Sequence, residues 1–115
     1  MNAEQVLRAA ADHIETVGLN QDGHYYRSGV EAPDSQRPCC VVGAIRVVTP
    51  RVSLFVGESA SRDALAAVAR DLGYGERYAH DRIVAWNDDP QITQEVVLRR
   101  MRATADRLKA EEAAA

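Results

Sequence analysis

The sequence predicts a mostly α-helical protein, a compact bundle of about five helices, and leaves open a small β-hairpin in the first half. Three observations predict it. Apolar residues recur at helical spacing in several separate stretches. Aromatics are 5% of the chain while alanine is abundant, a balance that packs helices through small aliphatic side chains rather than building sheet. Capping residues also stand where those stretches begin and end. With 115 residues, the chain fits one domain that buries a core without disulfide or metal staples. We place that domain at residues 1–110, followed by a frayed tail at 111–115.

The first helix is expected over Ala3 to Val17, with Val6, Leu7, Ala10, Ile14 and Val17 as its apolar stripe. Asn2 serves as its N-cap and Gly18 ends it. From Leu19 to Pro38 the chain is punctuated by Asn20, Asp22, Gly23, Ser28, Gly29, Pro33 and Pro38, which makes it mostly loop. Within it His24, Tyr25, Tyr26 and Arg27 suit a short extended segment. A loop this long inside a small domain is often functional. Cys39 to Val48 is almost wholly apolar; Pro38 ahead of it and Gly43-Ala44 within it favour a helix. The β-branched residues from Val47 to Val56 keep a hairpin open there.

A third helix is expected to be capped by Ser59 or Ser61 and to run to Leu72, with Gly73 ending it. Glu76 to Trp86 forms a fourth, followed by a turn at Asn87-Asp88-Asp89-Pro90. Thr93 caps the last helix, whose stripe is Val97, Leu98, Met101, Ala105 and Leu108. Gly43-Ala44 and Trp86 are expected at the common packing centre.

Charge and composition narrow the function classes. The formal net charge of −3 argues against general nucleic-acid or anionic-membrane binding, which draw on excess Lys and Arg. Arg99, Arg100, Arg102, Arg107 and Lys109 make the last helix basic, but cations near a helix C-terminus are favoured by the dipole in any case. Glu4, Arg8, Asp12 and Glu15 interrupt any apolar run that would make a secretory signal. No stretch reaches the roughly 20 apolar residues of a bilayer span. Two adjacent thiols, Cys39 and Cys40, are poorly placed for a structural disulfide. Together these features indicate a reducing, cytoplasmic setting.

Two segments stand out, Cys40-Val41-Val42-Gly43-Ala44-Ile45 and Ile83-Val84-Ala85-Trp86-Asn87-Asp88. On these C-x-x-G-A and W-N-D motifs the chain resembles a family of short proteins of unknown function from actinobacteria and their phages. The resemblance spans most of the chain and implies a fold and a host range. It implies no activity. Cys39 departs from the single cysteine of that pattern and inherits no role from it.

Read for chemistry, Cys40 in a helix first turn would feel the dipole, with His80 as its base and Asn87 or Asp88 orienting that histidine. The simpler reading buries Cys40 in the core, as its apolar run suggests. A metal set of His24, Cys39, Cys40 and His80 lacks the C-x-x-C spacing that fits a tetrahedron, so neither metal nor cofactor is expected. Trp86 is most simply a core residue, Asp88 and Asp89 turn residues rather than a cation pair, and His13 a solvated surface histidine. His24, Tyr25, Tyr26 and Arg27 are the candidate binding residues, since Tyr and Arg anchor protein interfaces. The expected function is a non-catalytic binding or regulatory protein acting through protein–protein contacts, with an unidentified partner or a second copy of itself. The alternative is a small hydrolase or transferase using Cys40, His80 and Asn87 or Asp88.

Overall fold

The computed structural model describes residues 1–49 and 56–115. It is mostly helical: α1 (Ala3–Val17), α2 (Val41–Val48), α3 (Val56–Asp71), α4 (Ala79–Asp88) and α5 (Gln94–Ala114), with a short 3-10 turn at Asp34–Gln36. The described residues contain no strand or sheet. Where the sequence suited His24 to Arg27 to a short extended segment, the described residues show two single backbone pairings, of Cys39 with Leu19 and with Tyr26. The hairpin considered for Val47 to Val56 falls largely on residues 50–55, outside the described residues.

α1 begins where expected. The Asn2 side chain accepts from the Gln5 N–H, and the Gln5 side chain accepts from the Asn2 N–H, a reciprocal cap. Gly18 ends the helix at φ 98°, a region open to glycine without strain. α1 is the hub of the bundle and packs on α5, α2 and α3. Val6, Leu7, Ala10, Ala11 and Ile14 are fully buried there against Val41, Ile45, Val68, Val97 and Met101. Each large aliphatic side chain so buried contributes about 1.5–3 kcal/mol. The alanines let the helices approach closely.

Several boundaries differ from the sequence reading, each for a physical reason. α2 starts at Val41 rather than Cys39, because Cys39 stays extended to make backbone pairings on both of its sides. α3 starts at Val56, so Ser59 and Ser61 lie inside it, and Ser61 donates its hydroxyl to Thr49 Oγ1 at 3.0 Å instead of capping. α4 runs from Ala79 to Asp88, so Asn87 and Asp88 sit in its last turn and not in a loop. α5 is capped by Thr93 as expected. Residues 111–115, expected as a frayed tail, carry α5 on to Ala114 as an exposed end.

Two of the basic residues of α5, Arg102 and Arg107, are held in ion pairs. Arg102 bridges to Asp12 and Glu15 of α1, and Arg8 of α1 reaches Asp106. Arg107 pairs with Asp71 at 2.8 Å, where Thr104 also donates. Burial alone would push the Asp71 carboxyl up, but these bonds hold it below its ordinary range. His13 is half-buried rather than solvated, and burial lowers its pKa. No helix among the described residues is long and apolar enough to cross a membrane.

Candidate functional site

The loop between α1 and α2 is long, but polar side chains buried beneath it fix its course. Asn20 is 1% exposed. Its amide nitrogen donates to Asp22 Oδ1 at 2.6 Å and to the His24 carbonyl at 3.0 Å, while its oxygen accepts from Arg27 Nε. Asp22 also accepts from the His24 and Ser28 N–H groups. The Asn20 hydrogen bond, foremost among these, holds the Asp22 carboxyl well below the usual carboxylate range. From below, Asn87 is fully buried. It accepts the Val41 N–H at 3.0 Å and donates to the Asn20 carbonyl at 2.9 Å. Asn87 therefore caps the start of α2, not the next helix in sequence, and pins the loop to it. Gln21 Nε2 adds bonds to the carbonyls of Asn87 and Ile92, and Gln94 accepts from the Leu19 N–H.

Gly43 completes the seating. The Cys40 N–H donates to the Tyr25 carbonyl at 2.9 Å. That carbonyl lies so close to Gly43 that a Cβ there would collide with it and crowd the Cys39 Cβ. The expected role of Gly43 in helix–helix packing is corrected: it admits the loop backbone.

The residues of the cysteine constellation take other hydrogen-bond partners. Cys40 is the N-cap residue of α2 and 3% exposed, and its Sγ accepts from the Gly43 N–H at 3.4 Å. Burial raises its pKa despite that bond, and burial pushes Cys39 up to about 12. The dipole argument from sequence is overridden by desolvation. His80 bonds Tyr25 and Asp81, Asn87 bonds backbone, and Asp88 accepts from Asn87. Asp89 serves its turn by accepting the Gln91 N–H. Among the described residues no group of three or more His, Cys, Asp or Glu side chains suits a metal ion. We expect iodoacetamide to leave both thiols of the native protein unlabelled up to about pH 9, and to label both once urea unfolds it, because only an exposed thiol ionises near its ordinary pKa of about 8.5.

The structure instead gathers the loop and α4 around His80. His80 Nε2 lies 2.7 Å from the Tyr25 hydroxyl and its Nδ1 lies 3.1 Å from Asp81 Oδ1. Either ring nitrogen can donate or accept according to the tautomer; a hydrogen on Nδ1, facing the Asp81 carboxyl, leaves Nε2 to accept from the phenol. The two rings meet edge to face at 5.8 Å, and the Arg46 guanidinium covers the Tyr25 ring at 5.3 Å. Two residues before His80, Tyr78 is 62% exposed and carries the Arg77 guanidinium over its ring. Tyr78 stands at φ 59°, the one positive φ outside glycine among the described residues. Two shallow grooves meet at His80. One, about 560 Å³, runs past Gly23, His24, Tyr25, Asp81, Val84 and Ala85. The other, about 400 Å³, is lined by Arg62, Asp63, Leu65, Ala66, Glu76, Tyr78 and Ala79.

The four candidate binding residues thus divide. His24 and Tyr25 border the groove, while Tyr26 packs half-buried against the core and Arg27 ties the loop to Asn20 and Leu19. Sequence reasoning missed Asp81 and Arg46. Asp81 follows His80 directly, and Arg46 is the one charge in the apolar run of α2, so both left a signal.

These features define a small helical domain whose first long loop is locked onto α2 and α4 by buried asparagines and presents a tyrosine to a surface histidine. The chain belongs to the family described as a family of unknown function (DUF6197), whose model matches residues 1–107. No curated protein and no solved structure matches it.

Proposed function

We propose that the chain is a small non-catalytic binding or regulatory protein acting through protein–protein contacts, and that its partner sits on the surface around His80. The observation that carries this reading is the held pair Tyr25–His80 under Arg46, with exposed Tyr78 beside it. Tyrosine and arginine dominate interface hot spots, and rings already fixed by neighbours lose less freedom on binding. Strain supports the same surface. A left-handed tyrosine costs about 1–2 kcal/mol relative to glycine, and here that cost falls on an exposed ring at the rim of a groove. The partner is another protein or a second copy of this chain. The reading extends to a cytoplasmic setting and, on the C-x-x-G-A and W-N-D motifs, to an actinobacterial or phage origin.

Tyr78→Gly separates stability from function. It should raise stability by about 1 kcal/mol while weakening capture of the partner. The test of the reading is a benzophenone photo-crosslinker placed at Tyr78 or, as a control, at exposed Arg99 on α5. A discrete adduct from position 78 that is absent from position 99, and that disappears with Tyr25→Ala, is expected; an adduct at twice the chain's mass identifies a second copy. Equal adducts from both positions, or adducts indifferent to Tyr25→Ala, would contradict it.

A further inference from the structure

We propose that Tyr25 is a reactive phenol, an acceptor for an acyl group delivered by an activated ester, with His80 as its general base and Asp81 orienting that base. The carboxylate, imidazole and hydroxyl stand in series at 3.1 Å and 2.7 Å, the order by which a hydroxyl is made nucleophilic. Tyr25 differs in this from Tyr78, whose hydroxyl accepts from the Arg77 guanidinium at 3.3 Å. The Arg46 cation over the Tyr25 ring favours the phenolate as negative charge develops on it. The groove past Gly23, His24, Val84 and Ala85 gives a small acyl group a place to lie.

In the step, the Tyr25 oxygen attacks the ester carbonyl and an O–C bond forms. The phenol proton passes to His80 Nε2. The bond from carbonyl carbon to leaving oxygen then breaks, and that oxygen leaves with the proton from the imidazolium. The product is a Tyr25 ester and a free alcohol or phenol, with no oxidant or further reactant required.

The experiment uses p-nitrophenyl acetate as the probe at pH 7, with acetylation mapped by peptide mass spectrometry. Tyr78 in the same molecule is the reference phenol. Tyr25 should acetylate about a hundredfold faster than Tyr78, the lower end of what a positioned base contributes. His80→Ala should reduce Tyr25 to the rate of Tyr78, and Asp81→Asn should give an intermediate rate. Tyr25→Phe should abolish the fast release of p-nitrophenol. Circular dichroism checks that each variant is folded, and His80→Gln replaces His80→Ala if helicity is lost. Equal labelling of Tyr25 and Tyr78, a Tyr25 rate indifferent to both His80 variants, or undiminished p-nitrophenol release from Tyr25→Phe would each overturn the proposal. The last would make the imidazole itself the nucleophile.

Discussion

Replacing Gly43 by alanine should destabilise the protein by about 3 kcal/mol or more, the upper range for forcing extra volume into a packed site. The sign is opposite to what local propensity predicts. Alanine in place of glycine in a helix interior normally adds about 1 kcal/mol of stability. Here the added methyl meets the Tyr25 carbonyl oxygen, a backbone atom that cannot rotate away. That oxygen also accepts the Cys40 N–H, so moving it breaks the seating of the loop on α2. Urea unfolding followed by circular dichroism measures the loss, and at this size the thermal midpoint should fall by on the order of 10 °C. A stabilised Gly43→Ala protein would show that the loop does not sit where we place it.

Asn87→Ala should cost roughly 2–6 kcal/mol, because it orphans two buried backbone groups, each worth about 1–3 kcal/mol when left unpaired. The Val41 N–H and the Asn20 carbonyl both lose their partner. Asn87→Asp should not rescue the loss. It keeps an acceptor for Val41 but turns a carboxylate oxygen toward the Asn20 carbonyl, in a buried site beside Asp88. Denaturant titration of the three proteins checks the order, wild type above both variants. An alanine variant within about 0.5 kcal/mol of wild type, the range of ordinary surface changes, would place Asn87 outside any structural network.

How much of this was legible in the sequence depends on whether the information is local. The stripes of α1 and α5, and the caps at Asn2 and Thr93, depend on spacing along one helix and were read correctly. The apolar run from Cys39 was read as helix, but its start was misplaced by two residues because Cys39 pairs with Leu19 and Tyr26, which are distant in sequence. α4 was placed too early for a similar reason. Asn87 and Asp88 look like turn residues, and only the contact of Asn87 with Val41 and Asn20 shows why asparagine ends a helix there. His24 and Tyr25 were singled out for composition alone and border the groove. Cys40 and His80 were paired because their types suggest catalysis, yet the thiol is buried and bonded to the Gly43 N–H while the imidazole bonds Tyr25 and Asp81. No single-residue pattern encodes that choice of partners.

The central claim is that the buried asparagines hold the loop so that Tyr25 donates to His80. Long-range nitrogen-15 NMR of the histidine rings tests it most directly. In the wild type, Nε2 of His80 should report as an unprotonated, hydrogen-bonded acceptor with its hydrogen on Nδ1. Tyr25→Phe should move that resonance and leave His13 unchanged, and Asn87→Ala should move it the same way from beneath the loop. A His80 spectrum identical in all three proteins would contradict the account.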